Sequence, residues 1–251
     1  MRFLILFVFL LPAFSLQAEV IAPHTRQIVV SIAPDWNSSS GRLQLFEKRE
    51  LEWEPASPPW DVLYGRNGLA WGIGEHPSPA NGAHPYKCEH DKRSPVGVFK
   101  IGKIFTYDSA LPKGAKFPFH TITKEDAWID DPSLPDYNRH VRVDLRNPPP
   151  WFEKQRMRLD DPPHRWLVEI RHNAESPIPG AGSAIFFHIQ RGPKIPSAGC
   201  TVMAEPRIRK LITWLRADAV PYYVLLPRSE YLSHWKSWGL PSPQSARQLL
   251  D

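Results

Sequence analysis

Cysteine is nearly absent: Cys88 and Cys200 are the only two in 251 residues. That excludes a disulfide framework and leaves room for one bridge at most. After the first eighteen residues no apolar run is long enough to cross a membrane, which needs roughly 20 residues. No basic run is interleaved with base-stacking aromatics. The net charge of +5 at pH 7 therefore does not call for nucleic acid, although it suits an anionic surface such as a cell wall. There is no internal repeat, and helical periodicity is scarce.

What is present begins with MRFLILFVFLLPAFSLQA. One basic residue, Arg2, precedes an apolar run broken by Pro12, and polar sequence starts at Glu19. This is the layout of a secretory signal peptide over residues 1–18, with cleavage after Ala18. The competing reading is a membrane anchor, for which the run is short. No cysteine follows it to carry a lipid. Residues 19–251 suit a single domain, with 229–251 as a C-terminal extension. The expected location is the periplasm, with no stable membrane insertion after cleavage and a monomeric state. In an oxidising compartment cysteines usually pair, so Cys88 and Cys200 form either a disulfide or at least one retained reactive thiol.

Short alternating runs dominate. RQIVVSI (26–32), GRLQLFEKRE (41–50), PWDVLYG (59–65) and GVFKIGKIF (97–105) read as strands. RWLVEIRHN (165–173) puts Trp166, Val168 and Ile170 on one side. GSAIFFHIQ (182–190) is almost continuously apolar, as a strand buried on both faces should be. EPRIRKLITWLRAD spaces Ile208, Leu211, Ile212 and Leu215 as a helix with Pro206 in its first turn. PYYVLLP (221–227) reads as a closing strand and SEYLSHWKSW (229–238) as a short helix. The last residues read as polar and loose. The proline-rich stretch 130–163 reads as a long ordered excursion with a short helix near WFEKQRMRL. The fold class is mainly β with one main helix.

The chemistry concentrates in HIQRGPKIPSAGC, residues 188–200. A cysteine becomes nucleophilic when an imidazole takes its proton, and the same imidazole can return that proton to a leaving amine. His188 ends a strand, a rigid place for a base. Arg191 to Pro196 favour a defined turn. Gly199 lets the backbone approach just before Cys200, and the Gly199 and Cys200 N–H groups could face an oxyanion. From these residues alone, a packed strand histidine and a packed cysteine remain the competing account.

GSAIFFHIQRGPKIPSAGCTVM resembles the active-site segment of the L,D-transpeptidase (YkuD-type) family. That family carries a strand histidine, a loop and a Ser/Thr-x-Gly-Cys signature, here His188 followed by Ser197, Ala198, Gly199 and Cys200. KCEHDKRSPVGVFKIG resembles a second family stretch through Lys87, Glu89, Asp91, Arg93, Ser94, Pro95, Gly97 and Phe99. WIDDPSLPDYN (128–138) and HNAESPIPGAGSAIFFH are similar to two more. Ala198, and Thr201 to Met203, depart from members with histidine before the glycine and arginine after the cysteine.

The resemblance implies a β-sandwich and a peptidoglycan L,D-transpeptidase without cofactor or metal. Cys200 would attack the carbonyl of the third stem residue, D-alanine would leave, and an amine would accept the acyl group in a 3–3 crosslink or a protein attachment. Ser197 would position the loop. Hydrolysis of stem peptides as a carboxypeptidase or endopeptidase is the alternative, and a non-catalytic wall-binding protein a second. Arg93, Tyr137, Asn138, Arg191 and Gly192 are the candidates for substrate contact. Arg93 could instead pair with Asp91, and Asp130, Asp131, Tyr137 and Asn138 could simply make turns. His76, His84, Cys88 and His90 crowd together, but their spacing matches no structural zinc pattern.

Overall fold

The computed structural model describes residues 20–78 and 82–251. The segment read as a signal peptide, 1–18, lies outside the described residues. The strands are β1 (Gln27–Ala33), β2 (Ser40–Arg49), β3 (Glu52–Pro55), β4 (Trp60–Leu63), β5 (Leu69–Trp71), β6 (Ser94–Thr106), β7 (Phe119–Thr121), β8 (Asp126–Trp128), β9 (His140–Arg142), β10 (Trp166–Ile170), β11 (Phe186–Ile189), β12 (Thr201–Met203) and β13 (Tyr222–Pro227). The helices are α1 (Phe152–Gln155), α2 (Glu205–Trp214), α3 (Arg228–His234) and α4 (Arg247–Leu250). No helix among the described residues is long and apolar enough to cross a membrane.

The main sheet runs β1-β13-β6-β10-β11-β12-β4-β2-β3, and β1 also pairs with β2. The path therefore closes on itself with β3 as a spur, which leaves little open edge. β1 pairs with β13 and β11 with β12 in parallel; the other pairs on that path are antiparallel. The chain is mainly β, with α2 as the main helix, directly after the strand that follows Cys200.

Alternation along the strands sorts side chains into two compartments. In β10, Trp166, Val168 and Ile170 enter the main core, while Leu167 joins a second cluster. In β11, Phe187 and Ile189 enter the main core, while Phe186 joins the second cluster. Phe105 from β6 is on that same outer face. The excursion after β6 covers this face with Ile122, Trp128 and Met157. A space between sheet and excursion results, and His188 opens into it because it shares the face of Phe186.

α2 forms because Ile208, Leu211 and Ile212 make one stripe, and all three are fully buried. Each contributes roughly 1.5–3 kcal/mol by that burial. The helix stops where Leu215 turns extended, its N–H returning to Leu211 O. The C-terminal residues are not loose. Ala246, Leu249 and Leu250 enter the main core, and Arg42 donates to Gln248 O at 2.6 Å. Polar neighbours hid this short apolar plug in the sequence.

Candidate active site

β11 and β12 run in parallel with Phe187 opposite Thr201 and His188 opposite Val202. One step back along that register puts Cys200 beside Phe186. Residues two apart share a face of a sheet. His188 and Cys200 are thus diagonal neighbours on the outer face, brought together by strand pairing although twelve positions apart in the chain.

The turn that ends on Cys200 is tied on every side. Ser197 N–H donates to Tyr64 O at 2.8 Å, and Arg66 N–H to Ser197 O at 3.0 Å. Ser197 Oγ accepts from Gly199 N–H at 2.9 Å and donates to Cys200 O at 2.5 Å. Ser94 Oγ donates to Gly199 O at 2.7 Å. Gly199 has φ +148°, and a Cβ there would lie 3.1 Å from Arg93 O. Only glycine takes this conformation without strain. The Gly199 N–H is already spent on Ser197. Of the two backbone donors expected to face an oxyanion, only that of Cys200 is left.

Electrostatics set the resting protonation. Burial pushes the Cys200 thiol up to about 11, against the opposing pull of the Phe186 N–H and the charge of Lys87. Sγ lies 3.5 Å from Ala184 O, an acceptor for the S–H. Burial pushes His188 down to about 4, and the nearby Arg191 guanidinium acts in the same direction. His188 Nδ1 is 2.9 Å from Ile189 O. A carbonyl can only accept, so Nδ1 carries the hydrogen and Nε2 is left with a lone pair. The resting pair is a neutral thiol and a neutral imidazole. The sequence suggested an ion pair; the apolar wall of Leu167, Phe186, Met157 and Trp128 disfavours it.

Two cavities meet at this pair. One of about 210 Å³ is lined by Trp128, Asp130, Lys154, Arg156 and Met157 among others, the other of about 550 Å³ by Arg66, Arg191, Ile195, Pro196, Ala198 and Val202 among others. His164, His188 and Cys200 line both. A cavity of about 590 Å³ lies elsewhere, against Lys100, Lys103 and Arg139, and does not reach the thiol. Chemistry rather than size picks out the first two.

His164 escaped the sequence reading. It sits in the 3-10 turn Pro162–His164, where Asp161 accepts from its N–H at 3.3 Å and its Nδ1 at 2.6 Å. Its ring stacks on His188 with centroids 5.3 Å apart and planes 29° from parallel. Arg191 approaches Asp161 at 3.7 Å and so ties the loop before Cys200 to the excursion. Only the Asp-Pro-Pro-His turn signal was legible in the sequence. What it packs against was not.

The other expected contact residues fall in different places. Arg191 lines the larger cavity, and Gly192 accepts from Ile195 N–H at 3.2 Å within the same loop. Arg93 donates to Leu69 O at 3.0 Å and lines neither cavity. Asn138, with φ +57°, donates to His172 O at 2.9 Å and Asn173 O at 2.7 Å. Its Oδ1 accepts from Trp128 Nε1 and Ala184 N–H, both at 3.1 Å. Tyr137 donates to Glu89, which also accepts from Ser183 at 2.9 Å. Lys87 pairs with Asp91 at 2.5 Å. Three distant sequence segments thus converge behind Ala184, whose carbonyl faces Sγ.

Both cysteines are free, Cys88 exposed and Cys200 half-buried. His76 is buried, His84 stacks on Trp36 with centroids 4.1 Å apart, and neither gathers with Cys88 or His90. Among the described residues the group that does gather as possible metal ligands is His120, Asp126 and His140.

The model of the L,D-transpeptidase catalytic domain family (YkuD) matches residues 27–224. That span runs from the start of β1 into β13 and holds every element framing the thiol. No curated protein matches the chain.

Proposed function

The chain belongs to the L,D-transpeptidase catalytic domain family, and on that premise we propose that it crosslinks peptidoglycan through a thioester at Cys200. The observation that carries this reading is the pair of cavities meeting at one thiol beside one unprotonated imidazole nitrogen. A transferase needs a place for a donor and a place for an acceptor. A hydrolase needs only the first.

The donor fits the smaller cavity. Its leaving D-alanine carries a free carboxylate, and Lys154 and Arg156 offer cations there. Asp130 suits the ammonium of a diaminopimelate side chain. As the donor carbonyl arrives, His188 Nε2 takes the Sγ proton and sulfur bonds to the carbonyl carbon. The Cys200 N–H faces the developing oxyanion. The C–N bond then breaks, and the imidazolium returns the proton to the departing amine of D-alanine. A thioester remains on Cys200.

The acceptor amine enters the larger cavity. Ala198 presents only a methyl group to it, which leaves room, and Arg66 and Arg191 suit the carboxylate beside that amine. The amine nitrogen bonds to the thioester carbon and gives up a proton. His164 is placed to take it, because its Nδ1 is committed to Asp161 and its Nε2 is not. The C–S bond breaks and sulfur is reprotonated. The reaction belongs on the exported side of the membrane, where stem peptides are.

The test is product analysis. Purified protein and disaccharide-tetrapeptide are incubated, and products are weighed by mass spectrometry. Dimers joined 3–3 with release of D-alanine are expected. Tripeptides alone would replace transfer by hydrolysis. Unchanged tetrapeptide would reject both.

A further inference from the structure

We propose that His120, Asp126 and His140 form a binding site for one divalent transition-metal ion, zinc in class. The three residues come from three strands. β8 and β9 pair with Trp128 opposite His140 and Asp126 opposite Arg142, so Asp126 and His140 are diagonal neighbours on one face. β7 brings His120 alongside through its pairing with β6. The ligand atoms all lie within 4.8 Å of one another. Nε2 of His120 and Nε2 of His140 both point at Asp126 Oδ1, at 2.8 and 2.7 Å.

Two imidazoles and a carboxylate are the donor set of a borderline divalent cation with an open fourth position. Metal bonds of about 2 Å in a tetrahedron put neighbouring ligand atoms about 3.3 Å apart. Each nitrogen–Oδ1 separation therefore needs to open by about half an ångström, while the two nitrogens, which lie within 4.8 Å of one another, swing towards a common centre. Both rings have room, with side chains 27% and 21% exposed. The carboxylate is already oriented: Oδ2 accepts from Thr123 N–H at 2.6 Å and Thr123 Oγ1 at 2.7 Å. Outer hydrogen bonds of this kind fix a ligand for its metal.

Charge points the same way. The Asp126 side chain is 0% exposed, and its ion-pair partners among the described residues are these two imidazoles alone. Buried carboxylates are ordinarily paired with a cation or bound to a metal. The fourth position has access, because His140 also lines the cavity of about 590 Å³.

The ion takes no part in the thioester chemistry. It staples β7 to the β8–β9 ribbon. Trp128 at the end of that ribbon forms a wall of the donor cavity and contacts Phe186 with centroids 4.9 Å apart. Phe105 separates the cluster from the thiol, its ring 5.9 Å from His120 and 5.1 Å from His140.

The experiment uses full-length protein carrying Cys88→Ser and Cys200→Ser, so that no thiol competes. After chelator treatment, Zn²⁺ is titrated against a chromophoric chelator, and Co²⁺ binding is followed by visible absorption. One ion per chain, tetrahedral Co²⁺ bands and a higher thermal midpoint with Zn²⁺ are expected. His120→Gln and His140→Gln should remove all three effects. Glutamine keeps an N–H for Asp126, so the metal-free midpoint should match the parent. If the double variant does not fold, His120→Gln alone decides the matter, since its ring is the more exposed. No saturable binding, or affinity unchanged by these substitutions, would overturn the site and leave a hydrogen-bonded clamp only.

Discussion

Raising the pH should wake the thiol of Cys200, and the structure fixes how steeply. In Cys88→Ser protein Cys200 is the only remaining thiol. Burial holds it up to about 11. At pH 7 roughly one molecule in ten thousand is then thiolate, against roughly three in a hundred for a free cysteine near 8.5. Alkylation by iodoacetamide should be about 300-fold slower than that of a free cysteine and should rise about tenfold per pH unit towards pH 11. His188, pushed down to about 4, should add no inflection between pH 5 and 8. His188→Ala should leave the slope as it is. The assay is the pseudo-first-order rate, read by intact mass. A rate that is high and flat from pH 5 to 8 would mean a standing thiolate–imidazolium pair. It would refute the claim that the proton moves only when donor occupies the cavity.

Gly199→Ala should destabilise the chain by about 1–3 kcal/mol, because alanine at φ +148° is strained and its Cβ would press on Arg93 O; a thermal melt checks this, and a parental midpoint contradicts it. Acid should destabilise the protein well before its carboxylates titrate. Burial pushes His76 and His188 down to about 4 and His172 down to about 3. These rings stay neutral in the folded chain while the unfolded chain protonates below about 6.5. The stability they contribute is complete above that pH and is lost as pH falls towards 4 and 3, at about 1.4 kcal/mol per unit per ring. Urea midpoints at pH 7.5 and 4.5 that coincide would refute it. His164→Ala should slow transfer to the amine by about 100-fold, as loss of a general base does, and should leave the first burst of D-alanine largely intact. Equal losses in both steps would assign His164 a merely structural role.

The neighbourhood of His188 and Cys200 in the candidate site was legible because strand alternation and chain order carry it. The side of β10 that holds Trp166, Val168 and Ile170 enters the main core as its spacing implies. The helix after Cys200 forms on the stripe of Ile208, Leu211 and Ile212. Where tertiary contacts override local pattern, the reading failed. Residues 182–185 look like strand, yet Gly182 has φ +92° and Ala184 φ +54°. The Asn138 side chain claims the Ala184 N–H, and the resulting bend aims the Ala184 carbonyl at Sγ. His164 and Asp161 lie more than twenty residues from His188, and no local signal links a surface turn to a ring stacked on the His188 imidazole. His120 and His140 are separated by an excursion whose pairing only the fold reveals.

The central claim is that Cys200, and no other residue, carries the acyl group. Protein mixed with excess tetrapeptide donor and quenched in acid within seconds should gain the mass of the donor less D-alanine. Peptide mapping should place that mass on Cys200. Cys88→Ser should keep the adduct and Cys200→Ser should lose it. An adduct on another residue, or D-alanine released by the Cys200→Ser protein, would contradict the account.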